Sequence, residues 1–314
     1  MTRREFLKML GMGLGAATLG GVGGEAAARP GVLHRRALGN TGRALSVIGL
    51  GGIVVMQAEQ EEANEIVAWA VGKGVNYFDV APTYGDAQDR LGPALQPYRD
   101  RAFLACKTGK RDAAGAREEL EHSLEMMRTD HFDLYQLHGL RTIEETEQAL
   151  GPGGALETFR KARDEGKVHL IGFSAHSTEA AELAFSRFDF DTVLFPFNAV
   201  CAENGNFGPR VLELAHEKGA SCLALKTLAW QPWPEGVERK YPKCWYQPQD
   251  DPEIARLLVR YTLGLGVVAA VPPGDARLFR LAVESALNYE PLSGRELSGL
   301  KERIKGVEPI FKAE

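Results

Sequence analysis

Eight short apolar runs, each opening after turn residues and nearly all followed by a stretch of helical periodicity, predict a (β/α)8 TIM barrel with a short N-terminal hairpin cap. The runs start at residues 45, 75, 102, 131, 168, 191, 220 and 266. That is a step of about 30 residues, the length of one βα unit. The chain has 314 residues, which suits one barrel of about 250 residues with extensions. A doubly wound open sheet would need a G-x-G-x-x-G turn after the first strand. Here G-L-G-G (49–52) continues into neither a third glycine nor a helix start.

Taken in order, the segment before residue 45 carries turn signals at Gly39-Asn40 and Thr41-Gly42, which predicts a hairpin under the barrel. L-S-V-I-G-L (45–50) is the first strand. The helix after it places Ala63, Ile66, Val67 and Ala70 on one stripe and stops at Gly72 and Gly74. Strands two to four are V-N-Y-F-D-V (75–80), A-F-L-A-C (102–106) and H-F-D-L-Y-Q-L (131–137). Strands five to eight are V-H-L-I-G-F-S (168–174), D-T-V-L-F (191–195), A-S-C-L-A-L-K (220–226) and G-V-V-A-A-V (266–271). Helical patterns at 116–129, 154–167, 178–188, 209–220, 252–264 and 276–287 separate them. No linker or charge break divides residues 29–314, so they read as a single domain.

Residues 1–28 read differently. A basic start with Arg3, Arg4 and Lys8 precedes a weakly apolar Gly/Ala/Leu stretch and an Ala26-x-Ala28 end. This is the three-part form of a secretory signal, and the apolar stretch, at about 14 residues, is too short to span about 30 Å of hydrocarbon. The paired arginines followed by Phe6 and Leu7 resemble a twin-arginine signal. The expectation is Tat-dependent export to the periplasm, with the export machinery as a partner and no stable membrane span.

Composition excludes other classes. With 37 Lys+Arg against 42 Asp+Glu, a net charge of −5 and no basic run, the chain lacks the cationic footprint of a nucleic-acid binder. Cys106, Cys201, Cys222 and Cys244 are isolated, so neither a disulfide framework nor a cysteine metal site is expected.

In a barrel, active-site side chains come from the carboxyl ends of strands and the loops just after them. Asp79 closes strand two, Tyr84 lies in the loop beyond, Lys107 follows strand three and His138 follows strand four. Together they make a proton-donor assembly. A phenol with a pKa near 10 is a poor acid at neutral pH, and a neighbouring ammonium lowers it. An aspartate keeps that lysine charged and placed, while a histidine orients a substrate carbonyl.

The run F-D-V-A-P-T-Y-G, the lysine after strand three, Q-L-H after strand four and the opening A-L-G-N-T-G-R-A-L-S-V-I-G-L-G-G resemble the aldo-keto reductase superfamily, over residues 33 to about 290. The resemblance implies NADPH-dependent reduction of a small-molecule carbonyl in a metal-free barrel, with Tyr84 as general acid. It also places cofactor contacts at Gly51 and Gly52, at Ser174 for the nicotinamide carboxamide, at Asn198 for an amide contact, at Lys226 and at Gly274. Ala175 stands where many members have asparagine, and Lys226 where several carry a tyrosine that stacks on the nicotinamide. Arg277 or Arg280 is the expected reader of the 2′-phosphate.

The Trp/Tyr/Pro-rich stretch 230–248 joins strand seven to its helix, and Trp230, Trp233, Trp245 or Tyr246 is expected at the substrate mouth. Two other functions fit the same barrel. One is a metal-dependent hydrolase using Asp79, His138 and His176, and the other is an NADPH-binding sensor without catalysis.

Overall fold

The computed structural model describes residues 31–313. Its strands are β1 (Arg35–Ala37), β2 (Ala44–Ser46), β3 (Leu50–Gly51), β4 (Tyr77–Asp79), β5 (Phe103–Thr108), β6 (Phe132–Leu140), β7 (Val168–Ala175), β8 (Thr192–Phe195), β9 (Ser221–Leu225), β10 (Ala229–Pro232), β11 (Tyr246–Pro248) and β12 (Ala269–Val271). Strands β3 to β9 and β12 form one parallel eight-stranded sheet in sequence order. A parallel bridge between Ile48 and Ala270 closes it, with Gly49 N–H donating to Ala270 O at 3.0 Å. This is the (β/α)8 barrel that the sequence predicts.

The run 45–50 is divided between two sheets. Ala44–Ser46 pairs antiparallel with Arg35–Ala37, and the chain joins the barrel from Val47, whose carbonyl accepts from Ala270 N–H at 2.9 Å. The hairpin plugs the bottom, because Leu38 and Leu45 pack with Tyr77, Phe103, Leu134, Leu194 and Leu223 in the barrel interior. Two glycines make that interior possible by close approach. A Cβ on Gly49 would lie 2.3 Å from the Tyr77 ring, and one on Gly172 would lie 2.2 Å from Thr192 Oγ1.

The helices are α1 (Gln60–Gly72), α2 (Ala87–Leu95), α3 (Ala113–Met126), α4 (Ile143–Leu150), α5 (Ala155–Asp164), α6 (Thr178–Arg187), α7 (Ala199–Gly205), α8 (Pro209–Lys218), α9 (Pro252–Gly264), α10 (Ala276–Ala286) and α11 (Gly294–Ile304). Their apolar stripes, such as Ala63, Ile66, Val67 and Ala70 on α1, face the outside of the sheet and make the larger core. Burying each large apolar side chain there contributes roughly 1.5–3 kcal/mol. Asp112, Ser177, Asp251 and Asp275 cap α3, α6, α9 and α10 through side-chain oxygens. The sequence reading leaves out α2, α4, α7 and α11. Helix α2 contains Gly92-Pro93, and Gly92 is fixed by packing, since a Cβ there would lie 2.3 Å from Met126 O. Among the described residues no helix is long and apolar enough to cross a membrane. The signal-like residues 1–28 lie outside the described residues.

Candidate active site

A pocket opens at the carboxyl ends of the strands, lined by residues of seven of them or their following loops. Asp79 ends β4 and Lys107 lies near the end of β5, each about 1% exposed. The Lys107 Nζ donates to Asp79 Oδ1, to Val80 O at 3.4 Å and to the Tyr84 hydroxyl at 3.2 Å. Tyr84 sits in the turn after β4, with its N–H on Ala81 O and its carbonyl accepting from Ala87 N–H. The remaining oxygen of Asp79 accepts from Tyr77 OH at 3.2 Å and Gln136 Nε2 at 3.1 Å.

Sequence reasoning missed Tyr77 and Gln136. The signal was the two-residue strand period, which puts Tyr77 on the face of Asp79 and Gln136 on the face of His138. The ladder sets Lys107 beside Gln136 on the neighbouring strand.

His138 reaches the pocket because the β6–β7 register breaks between Leu137 and Leu140, with Gly139 at φ 63°. Its ring meets Tyr84 edge-on at 5.5 Å, and its Nδ1 pairs with Thr83 Oγ1 at 3.2 Å. The bulge is held by Gly139 N–H donating to Ser174 Oγ at 2.7 Å and by Arg111 donating to His138 O at 2.9 Å.

The electrostatics differ from the sequence expectation at one point. Burial raises the Tyr84 pKa by more than the Lys107 ammonium lowers it, so the phenol stays protonated at neutral pH. Burial alone would push the Lys107 pKa down, but Asp79 and the Tyr84 hydroxyl hold it above the ordinary lysine value. Burial pushes His138 down to about 3, with Lys107, Arg111, Lys226 and Arg141 adding to it, so its imidazole is neutral.

Ser174, His176 and Lys226 also line the pocket. Lys226 directly follows β9 and holds φ 60°, a left-handed backbone that costs a non-glycine residue about 1–2 kcal/mol. Its Nζ lies 3.0 Å from His176 Nε2 and 5.7 Å over the Phe311 ring. Burial lowers the Lys226 pKa to about 7, helped by Arg141 and Lys107 and opposed by Cys201. His176 is pushed down to about 2 by burial and by the same lysine. The His176 ring stacks on Phe311 at 5.2 Å, which brings the C-terminal tail to the site. No sequence pattern signals that contact.

The expected cofactor residues scatter. Gly51, Ser174, Lys226 and Gly274 line the pocket. Gly52 lies just outside, where a Cβ would meet Val80 Cγ2 at 2.8 Å, and Asn198 is buried and caps α7 by accepting from Cys201 N–H at 2.9 Å. Arg277 is exposed, with its guanidinium on Asp275 at 2.9 Å and over the Tyr241 ring. Arg280 stacks 4.4 Å over Trp69. Of the four loop aromatics, Trp245 and Tyr246 line the mouth, while Trp230 and Trp233 pack against the core and Trp233 Nε1 donates to Cys244 O at 2.8 Å. Asp79, His138 and His176 do not form a ligand group, because both oxygens of Asp79 already accept hydrogen bonds and His176 faces Lys226.

A closed parallel barrel with a buried aspartate–lysine–tyrosine cluster at its carboxyl mouth belongs to the class of barrel proteins that carry a phenol-centred proton-donor site. Residues 47–260 match the Aldo/keto reductase family, and the chain belongs to that family. It is 32% identical over 183 residues to the aldo-keto reductase YhdN of Bacillus subtilis, which is 51% of this chain and 53% of that one. It is also 31% identical over 163 residues to L-galactose dehydrogenase of Arabidopsis thaliana, 45% and 48% of the two chains. The chain thus spans about half the length of the curated relatives it matches. An aldo-keto reductase from Bacillus halodurans in its holo form superposes with a TM-score of 0.69 at 23% identity, covering 90% of this chain and 100% of that one. An aldo-keto reductase from Klebsiella pneumoniae in complex with NADPH gives 0.67 at 20% identity, covering 91% and 98%.

Proposed function

We propose that this protein is an NADPH-dependent reductase of aldehydes or ketones. The observation that carries the reading is the Lys107 ammonium set between the Asp79 carboxylate and the Tyr84 hydroxyl, on the floor of a pocket that His138 also lines. The named relatives and the NADPH complex of the Klebsiella protein support it.

The pocket fits a nicotinamide. The Ser174 hydroxyl hydrogen has only a 3.5 Å contact with Leu137 O, so it is free to turn to a carboxamide oxygen, and Gly51 and Gly274 line the same pocket. When bound, the reduced cofactor supplies the hydride. The residues of the chain do the rest. Neutral His138 donates a hydrogen bond to the substrate oxygen without placing a second charge beside Lys107. Tyr84 delivers its proton to the oxygen as negative charge develops there, and the phenolate left behind is stabilised at once by Lys107 3.2 Å away. Asp79, fixed by Tyr77 and Gln136, keeps Lys107 charged and in place. Preference for NADPH over NADH rests on Arg277 and Arg280 beyond Gly274, and requires Arg277 to turn from Asp275.

The N-terminal sequence supports export of the barrel by the twin-arginine route, with residues 29–314 as the mature domain and the periplasm as its location. Replacing Arg3 and Arg4 by Lys should then retain the protein in the cytoplasm, and undiminished periplasmic recovery would exclude the route. The activity is tested by following NADPH oxidation with the purified protein over a panel of aldehydes and quinones. Binding of NADPH without substrate-dependent oxidation would favour a sensor instead.

A further inference from the structure

The pocket is lined by three lysines, Lys107, Lys226 and Lys243, and by a single carboxylate, Asp79. That carboxylate is committed to Lys107. Lys243 is half-buried, and its Nζ donates to Val54 O at 3.3 Å. Lys226 remains as a cation on the pocket wall with no acidic partner among the described residues.

Its immediate surroundings are built. The amine is seated on His176 Nε2, which accepts one of its three hydrogens, and the Phe311 ring covers it on another side. His176 in turn is stacked on Phe311, which packs against Phe207 and Trp245. The groups that act electrostatically on the lysine are Arg141, Lys107 and the Cys201 thiol, and none of them is a carboxylate. A desolvated amine of this kind has no counter-ion among the described residues, and an anionic ligand would supply one. The left-handed backbone at Lys226 agrees, since the residue is held at a position where Asn or Gly would fit with less strain.

We propose that Lys226, seated on His176, is an anion-binding subsite of the active pocket that takes a carboxylate or phosphate carried by the carbonyl substrate. This rests on the reductase reading, and it narrows the substrate class to oxo-acids and phosphorylated aldehydes or ketones. In this reading Lys226 holds the anion while Tyr84 and His138, which line the same pocket, hold the reacting carbonyl. Because Lys226 titrates near pH 7 in the unliganded protein, binding of the anion draws a proton onto it.

The test uses 4-carboxybenzaldehyde and its methyl ester, which differ in charge but little in shape, with NADPH and the full purified chain. The expected kcat/KM ratio of acid over ester is about ten-fold or more, the size of one charge-assisted hydrogen bond. It should fall as pH rises through about 7. Lys226→Met should bring the ratio close to one, and Lys226→Arg should restore most of it. In parallel, calorimetry of 4-(hydroxymethyl)benzoate binding, in buffers of different ionisation enthalpy near pH 7, should show proton uptake that Lys226→Met abolishes. A ratio that survives Lys226→Met overturns the proposal. So does a Lys226→Met protein that loses NADPH affinity while keeping its acid preference, because the anion bound would then be the cofactor's phosphate. If neither aldehyde is reduced but the benzoate binds with proton uptake, the reductase reading fails and the subsite stands. If the benzoate does not bind, the subsite falls.

Discussion

Two lysines face one pocket, and the fold gives them opposite properties. Lys107 is the more deeply buried, yet its pKa stands above the ordinary lysine value because Asp79 and Tyr84 touch it. Lys226 has a neutral imidazole and an aromatic ring beside it and no carboxylate, and burial lowers its pKa to about 7. Burial pulls both downward, and Asp79 together with the Tyr84 hydroxyl reverses it at Lys107. A permanently charged lysine suits the support of a phenolate that forms once per turnover. A lysine poised between its two states suits recognition of a charge that arrives with a ligand.

The comparison breaks most severely with Asp79→Asn, which should make Lys107 resemble Lys226. Removing one partner of a buried ion pair typically costs about 3–5 kcal/mol, and the loss of a supported acid lowers kcat by about 10²- to 10⁴-fold. Urea unfolding and steady-state kinetics on the same variant check both. A stable Asp79→Asn variant with normal kcat would show that Lys107 needs no carboxylate.

The next effect is on stability against pH. His138 and His176 have folded pKa values of about 3 and about 2, well below the value of about 6.5 expected when unfolded. A depressed folded pKa gives stability that is fully present above about pH 6.5 and is lost as pH falls towards 3, at up to about 1.4 kcal/mol per pH unit for each histidine. His176→Gln should flatten the slope of unfolding free energy against pH in this window by about half of the two histidines' contribution. An unchanged slope would mean that His176 is protonated in the folded protein.

The smallest effect separates function from stability at Lys226. Lys226→Asn removes a desolvated amine and places a residue that tolerates the left-handed backbone, so it should raise the melting temperature by about 2–4 °C for each kcal/mol gained. A lower melting temperature would mark Lys226 as a structural residue.

The barrel was legible because each strand is a short apolar run and most helices carry a clear stripe. The grouping of the candidate site residues was legible because Asp79, Lys107 and His138 stand at or near strand ends, where topology alone brings them together. What escaped depends on contacts between distant segments. The split of 45–50 between hairpin and barrel needs the seam at Ala270, and Phe311 reaches His176 only through the C-terminal tail packed on Gly205. The net rise of the Tyr84 pKa escaped as well, because the sequence names the lysine beside the phenol but not how deeply both are buried.

The most direct measurement of the central claim is the single-turnover rate of Tyr84→Phe on a good aldehyde, with the NADPH dissociation constant measured alongside. Phenylalanine keeps the ring against His138 and removes the hydroxyl that Lys107 supports. The expected result is a fall of about 10²- to 10⁴-fold in the chemical step with NADPH affinity nearly unchanged. A variant that keeps more than about a tenth of the wild-type rate, where chemistry limits turnover, would contradict the account and leave His138 or water as the proton donor.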